Sequence, residues 1–397
     1  MIVDPRTGLP IVGMVGGGQL ARMTHQAAIA LGQSLRVLAV SPEEPAPLVT
    51  PEISIGSHTD LDALRSFAAE VDVLTFDHEH VPNEHLRALV AAGHRVHPGP
   101  DALVHAQDKL VMRRKLAELG LPIPAFAPVE SVDAIVAFGT EHGWPCVLKA
   151  ARGGYDGRGV WMLDEPEQAK TLVAELLDAG TPLLAEERVV MRRELAALIA
   201  RSPFGQGAAW PIVETVQVDG ICVEVLAPAP DLAPDLADQA QQLALSVANA
   251  LNVVGLLAVE LFQTDTGLVV NELAMRPHNS GHWTIDGART SQFEQHLRAV
   301  LDYPLGSTEA LAPVTVMANV LGAELTPKMG VDERLHHLFA RFPAARVHLY
   351  GKAERPGRKV GHVNVLGDDL AVARRTATLA ANWLGAARWA DGYDIHG

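Results

Sequence analysis

Leu256-Leu257-Ala258-Val259-Glu260-Leu261-Phe262, then Gln263-Thr264-Asp265-Thr266-Gly267, then Leu268-Val269-Val270-Asn271-Glu272-Leu273 read as two apolar strands joined by a polar turn with a glycine. A hairpin centred near Thr266 pairs Glu260 with Glu272, one carboxylate on each strand. Two carboxylates forced together in an apolar sheet repel, and burying them unpaired is costly. A divalent cation removes that conflict, and Mg2+ held by carboxylates usually also holds substrate phosphates. The alternative is a pair of carboxylates solvated on an exposed hairpin face. Arg276-Pro277-His278-Asn279-Ser280-Gly281-His282-Trp283 favours the first reading, being dense in polar groups and poor in core-forming ones. The pattern suits an enzyme that handles phosphates.

Upstream, short apolar runs at Ile11–Val15, Leu35–Val40 and Val71–Phe76, with Val96-His97-Pro98, alternate with helical patterns. Gln19–Leu31 carries Leu20, Met23, Ala27 and Leu31 on one helical stripe. Alternating strands and helices imply a parallel α/β domain over 1–106. Asp101 is placed to cap a helix running to Leu119, which Gly120 and Pro122 end. The next module has strands at Pro145–Lys149, Val160–Leu163 and Pro182–Glu186 and a helix at Glu165–Leu177. A helix over Ala237–Leu251 leads into the hairpin, and another spans Gln292–Leu301. Asp302-Tyr303-Pro304-Leu305-Gly306 breaks the pattern. Beyond it lie short strands near Val314–Val320, Ala345–Tyr350 and Gly361–Val365 and a last helix from about Leu370. Met1–Pro10 reads as a loose arm ahead of the first strand.

Gly16-Gly17-Gly18-Gln19-Leu20-Ala21 follows a strand, opens a helix and fits GxGxxG/A, the signature of dinucleotide sites. The second strand ends Ala39-Val40-Ser41-Pro42, with no acidic residue to hold a ribose. Its backbone N–H groups suit a phosphate or ribose, and a structural turn is the third reading. Lys149-Ala150-Ala151-Arg152-Gly153-Gly154-Tyr155-Asp156-Gly157-Arg158-Gly159-Val160 ends one strand on a lysine and returns through four glycines. Such glycines let backbone approach phosphate oxygens, which Lys149 and Arg158 can neutralise. Asp77-His78-Glu79-His80 follows the third strand, where loop residues tend to meet ligand; Glu79 is the candidate, and alternation also makes a metal site at His78 and His80 conceivable. His278 and His282 lack the glutamate of HExxH, which argues against zinc. Lys352-Ala353-Glu354-Arg355-Pro356-Gly357-Arg358-Lys359 gathers four cations, either as a phosphate clamp or as a solvated turn.

The chain has 397 residues, enough for two or three domains with separate cores, and 48% hydrophobic residues argue against extensive disorder. No apolar run is long enough to span a bilayer, and the first residues lack a signal-peptide pattern, so a soluble, cytoplasmic protein with no membrane partner is expected. A net charge of −15 disfavours nucleic acid as a partner. Cys146 and Cys222 sit in apolar surroundings outside any metal spacing and read as buried thiols.

Lys109, Lys149, the Gly153–Gly159 loop, Glu260, Asn271-Glu272 and the Arg276–Trp283 stretch occur in the order found in the ATP-grasp superfamily, which the chain resembles. GGGQLARM, GGYDGRG, NELAMRPHNSGHWT and RPGRKVGHVN resemble, more narrowly, the 5-(carboxyamino)imidazole ribonucleotide synthase family. The resemblance implies an α/β fold of ATP-grasp architecture. It would have an N-terminal parallel α/β domain, a central ATP-grasp domain over 107–303 with a mobile subdomain at about 121–190, and a small C-terminal domain over 304–397. It implies a ligase in purine (IMP) biosynthesis that carboxylates the exocyclic amine of 5-aminoimidazole ribonucleotide with ATP and bicarbonate, through carboxyphosphate.

For the nucleotide, the resemblance implies phosphate or adenine contacts from Lys109 and Lys149, and a closing loop of Gly154, Tyr155, Asp156, Gly157, Arg158 and Gly159. Glu186, Glu187, Arg188 and Val189 would form the adenine edge, with Glu194 on the ribose. Glu214 stands where some relatives carry a histidine near the nucleotide. Glu260 and Glu272 would hold Mg2+, or Mn2+ in its place, with Asn271 beside them. Gln19, Leu20, Glu79, Asn279, Lys352, Arg358 and Lys359 would receive the ribonucleotide, the last three at its 5′-phosphate. Tyr155, Asp156 and Arg158 would orient the carboxylation, and a homodimer is implied. Alternatives are another ATP-grasp ligase acting on a small phosphorylated amine, an NAD-dependent oxidoreductase resting on Gly16–Ala21 alone, and a noncatalytic ADP-binding module.

Overall fold

A computed structural model describes residues 1–154 and 158–394. The N-terminal part is a five-stranded sheet of β1 (Ile11–Val15), β2 (Ser34–Ala39), β3 (Ile53–Ile55), β4 (Val73–Phe76) and β5 (Arg95–Val96). All neighbours are parallel, in the order β3-β2-β1-β4-β5. The nearly continuous apolar strands that betrayed it are buried on both faces, as parallel sheets require. One face packs on α1 (Gln19–Leu31), where Ala21 and Ala28 meet Val12, Met14 and Val37. The other packs on α2 (Leu61–Ala68) and α3 (Asn83–Ala91) through Leu64, Phe67, Leu86 and Leu89. Because β1 lies between β2 and β4, the turns leaving β1 and β4 meet at the point where the winding reverses, a favoured ligand position.

The expected helix from Asp101 to Leu119 is two helices, α4 (Pro100–Gln107) and α5 (Lys109–Glu118). Asp108 divides them: its backbone is extended, and its side chain accepts from the N–H groups of Leu110 and Val111. A short side-chain acceptor competes with helix continuation and caps the next one instead. Met1–Pro10 is likewise not loose. Asp4 is buried, bonded to Arg6 and to the Ser34 hydroxyl, and Arg6 also reaches Glu52. The Arg6 guanidinium, then Ser34, holds the Asp4 carboxyl well below the usual range.

A four-stranded antiparallel sheet follows, made of β6 (Phe126–Val129), β7 (Cys146–Ala150), β8 (Val160–Leu163) and β9 (Leu183–Glu187) in the order β6-β9-β7-β8. Helices α6 (Val132–His142) and α7 (Pro166–Asp178) cover it through Ile135, Phe138, Ala169 and Val173. The central sheet begins with β10 (Arg193–Arg201), β11 (Gly207–Ala209), β12 (Val213–Val218) and β13 (Ile221–Ala227). After α8 (Pro234–Ala250) come β14 (Gly255–Gln263) and β15 (Leu268–Ala274), the hairpin read from the sequence. A short α9 (Thr284–Gly287) and α10 (Gln292–Val300) follow, and α10 returns to the N-terminal sheet through Leu297 and Val300.

The last strands, β16 (Val314–Leu321), β17 (Arg346–Leu349) and β18 (Lys359–Gly367), extend the same sheet. Its order is β15-β14-β10-β12-β13-β16-β18-β17, with β11 on β10. The C-terminal part nevertheless has its own apolar cluster, where α11 (Val331–Arg341) and α12 (Leu370–Ala386) bring Leu338, Trp383 and Leu384 onto Val316, Val320 and Val363. Both cysteines are buried, as their surroundings suggested. No helix among the described residues is long and apolar enough to cross a membrane.

Candidate functional site

The three parts enclose a cavity of about 810 Å3. The central hairpin forms its floor. Glu260 on β14 faces Glu272 on β15, in the register expected from the alternation. Register then shifts, because Leu261 pairs with Val270 and leaves Asn271 as an extra residue. Such a bulge re-aims side chains, and here both Asn271 and Glu272 line the cavity with Glu260.

Cations arrive from two other elements. Lys109, at the start of α5, places Nζ 2.7 Å from Glu272 Oε1. Lys149, on β7, lies 2.8 Å from Glu186 Oε2 and donates to Asn271 Oδ1 at 3.2 Å. Arg113 is fully buried beneath them and was not singled out in the sequence. It donates to Glu186 Oε1 at 2.6 Å and to the carbonyls of Val270 and Asn271 at 2.9 and 2.7 Å. Burial alone would raise the Glu186 pKa, but Lys149 and Arg113 outweigh it and hold the group below its ordinary value. One guanidinium thus ties the four-stranded sheet to the bulge, and only the tertiary fold reveals its role.

Glu260 has the opposite balance. Burial, then the nearby carboxylates Glu272 and Glu194, push its pKa up to about 7. His278 Nε2 stands 3.3 Å from Glu260 Oε1. Burial, then Arg276 and Lys359, lower the His278 pKa to about 3, so the ring is neutral near pH 7. Its Nδ1 accepts from the Ser280 N–H, which leaves the proton on Nε2, directed at Glu260. Burial likewise raises Glu194. Crowded, partly desolvated carboxylates suit a divalent cation. Among the described residues no group of three His, Cys, Asp or Glu is placed to hold one, so phosphates and water would have to complete the shell of a two-carboxylate site; His78 and His80 stack on each other without forming such a group.

The remaining nucleotide-side candidates divide. Glu186, Glu187, Arg188, Val189 and Glu194 line the cavity. Glu214 does not: Thr215 and Gln217 of its strand face the cavity, while Glu214 pairs with Arg193 at 2.9 Å. In the glycine loop, Gly153, Gly154 and Val160 line the cavity. Gly154 has φ +83°, and a Cβ there would lie 2.5 Å from the Arg158 carbonyl oxygen, so glycine is required. Gly159 also has positive φ, and Arg158 is exposed and off the lining. Tyr155, Asp156 and Gly157 lie outside the described residues.

The far end carries the other candidates. Gln19, Leu20, Glu79, Asn279 and Lys359 line it, together with Arg276, His278 and His282, which were quoted in the sequence but given no role. Asn279 exchanges side-chain amide bonds with Asn319 at 2.9 and 3.0 Å. The basic turn is split. Lys359 faces the cavity, whereas Lys352 and Arg358 are off its lining, and Arg358 donates to the Ala353 carbonyl at 3.2 Å. The glycine turn after β1 is taken by a carboxyl of the protein's own, because Asp77 Oδ2 accepts from the Gly18 N–H at 2.6 Å.

Comparison with known proteins agrees along the chain. A ribonucleotide synthetase preATP-grasp domain matches residues 9–107, an ATP-grasp domain 114–293, and a phosphoribosylaminoimidazole carboxylase C-terminal domain 315–376. The N5-carboxyaminoimidazole ribonucleotide synthase of Mycobacterium tuberculosis is 67% identical over 388 residues, 98% of this chain and 90% of that protein. The solved ADP complex of an N5-carboxyaminoimidazole ribonucleotide synthetase superposes with a TM-score of 0.86 at 33% identity, covering 94% of this chain and 97% of the other. The Aspergillus clavatus synthase, solved with ADP and 5-aminoimidazole ribonucleotide, gives 0.85 at 30% identity, covering 95% and 98%.

Proposed function

The chain belongs to the N5-carboxyaminoimidazole ribonucleotide synthase family of ATP-grasp ligases, and we propose that its cavity couples ATP-driven activation of bicarbonate to carboxylation of the exocyclic amine of 5-aminoimidazole ribonucleotide. One observation carries this reading. A single cavity is lined both by the lysines and paired carboxylates and by Gln19, Glu79, Arg276 and Lys359. ATP, bicarbonate and the ribonucleotide can therefore meet in one enclosure.

In this reading Lys109 and Lys149 bind the phosphates, and Glu186–Val189 and Glu194 take the adenosine. Glu260 and Glu272, with Asn271 beside them, would hold Mg2+, or Mn2+ in its place. When bound, that ion spreads charge on the phosphates. His278 keeps its Nε2 proton on Glu260 and orients that carboxylate. A bicarbonate oxygen attacks the γ-phosphorus, the bond to ADP breaks, and carboxyphosphate forms. The amine nitrogen then bonds to the carboxyl carbon of carboxyphosphate, or of CO2 released from it; phosphate leaves with the electron pair of the broken C–O bond, and the nitrogen releases its proton. Carboxyphosphate is short-lived in water, so an enclosed cavity favours this order of events. Tyr155, Asp156 and Arg158 are assigned to orient this step on the family resemblance. That resemblance supports a homodimer in the cytoplasm.

The oxidoreductase reading loses its only support, because the glycine turn is occupied by Asp77 and the family is a ligase family. The test is product identity. 13C-bicarbonate, ATP and 5-aminoimidazole ribonucleotide should give a carbamate carbon bonded to the exocyclic nitrogen. Label on a ring carbon in the first product, or none, overturns the assignment.

A further inference from the structure

Asp77 follows β4, is only 7% exposed, and belongs to none of the roles above. Its main-chain N–H donates to the Val15 carbonyl at 3.1 Å, and its Oδ2 accepts from Gly18 N–H at 2.6 Å, at the first turn of α1. The fit is close on both sides. A Cβ on Gly16 would stand 1.8 Å from Asp77 Oδ1, and one on Gly18 2.5 Å from Oδ2. Those two glycines make room for this carboxylate. A helix N-terminus attracts an anion, but here the Asp77 carboxyl already takes the Gly18 N–H, so that donor is not open to a substrate phosphate. Gln19 and Leu20 come next in the chain after Gly18, and Glu79 is two residues beyond Asp77.

We propose that Asp77 is a positioning residue for the ribonucleotide: its carboxylate clasps the Gly16–Gly18 turn to the loop after β4 and holds Gln19 and Leu20 in register with Glu79. The inference rests on the reading that these three residues receive the ribonucleotide. It also assigns the substrate phosphate to the basic turn around Lys359 rather than to the glycine turn.

Several charged groups face the clasp. Glu44, from the loop after β2, binds the Val40 N–H and lies against Gly17. Arg276 approaches from the loop after β15 and Lys352 from the turn after β17. His78 Nε2 is 4.0 Å from Asp77 Oδ1, but its pKa, lowered mainly by burial to about 3, leaves it neutral. Burial pushes Asp77 up to about 7; the Gly18 hydrogen bond opposes this, Glu44 adds to it, and Arg276 and Lys352 subtract. The clasp therefore changes between an ionised and a neutral acceptor within the range of ordinary assays. An ionised acceptor makes the stronger bond.

The experiment measures KM for 5-aminoimidazole ribonucleotide and for ATP from pH 6 to 8.5 in wild type, Asp77→Asn, Gly18→Ala and Glu79→Gln. Asn keeps the shape but stays neutral. The ratio of its ribonucleotide KM to that of wild type should be near one at pH 6 and rise to about fivefold above pH 8, the step from a charged to a neutral acceptor. KM for ATP should not follow, and kcat should change less than KM. Gly18→Ala strains the clasp while keeping the carboxylate and Gly18's extended φ of −73°, so it should raise the same constant if Asp77→Asn proves too unstable to assay. A pH-independent ratio, or an equal rise in both constants, overturns the role of Asp77. If Glu79→Gln also leaves the ribonucleotide constant unchanged, the assignment of this end of the cavity fails as well. A raised constant in Glu79→Gln with a wild-type profile in Asp77→Asn overturns the clasp alone.

Discussion

Arg276 Nε donates to Glu79 Oε2 at 2.7 Å, joining the segment after the carboxylate hairpin to the loop after β4, 197 positions away in sequence. Both residues line the cavity. Both side chains are largely shielded, so removing one strands the other. Arg276→Met should lower stability by at least about 1–3 kcal/mol, the cost of an unsatisfied buried polar group, which a charge exceeds. Thermal melts and kinetics check this: KM for the ribonucleotide should rise while KM for ATP stays near wild type.

Glu272→Ala should abolish turnover without unfolding the protein. Glu272 lies at a strand surface and is 40% exposed, so little core volume is lost. The variant should need far more Mg2+ for any residual ADP production. Normal turnover at ordinary Mg2+ would remove the hairpin from the metal assignment.

The basic turn gives a graded prediction. Lys359 lines the cavity and Arg358 does not, so Lys359→Ala should raise the ribonucleotide KM by about one to two orders of magnitude. Arg358→Ala should have the smaller effect. The loss from Lys359→Ala should not add to that from removing the substrate's 5′-phosphate. Full additivity would make Lys359 a solvated charge.

What the sequence revealed follows from how local each signal is. The Glu260–Glu272 pairing was legible because strand alternation and a glycine-containing turn fix register within eighteen residues, from Leu256 to Leu273. The bulge that turns Asn271 inward leaves no such trace, since one extra residue does not alter composition. Asp108 could have been found as a cap, being an aspartate two residues before the apolar stretch Leu110–Met112, but the unbroken helical pattern around it hid the break. Arg113, Arg276 and Asp77 act through partners 73, 197 and 59 positions away, a scale at which only folding brings charges together.

Glu260 sets a pH dependence of stability. Its folded pKa is raised to about 7, mainly by burial, so the folded state holds a proton that the unfolded chain releases near the ordinary value of 4.5. Its contribution to stability is therefore present at low pH and lost as pH rises toward 7. Glu260→Gln should gain stability relative to wild type between pH 5 and 8, measured by denaturant melts without Mg2+. A constant difference would mean Glu260 titrates normally.

In the proposed reaction one cavity spends ATP on bicarbonate for the benefit of the ribonucleotide amine. ADP release in the presence of Mg2+ tests it most directly, with 5-aminoimidazole ribonucleotide and bicarbonate supplied singly and together. Release should be fast only with both, with one ADP per carboxylated product. Equal release without the ribonucleotide, or with formate in place of bicarbonate, would contradict the account.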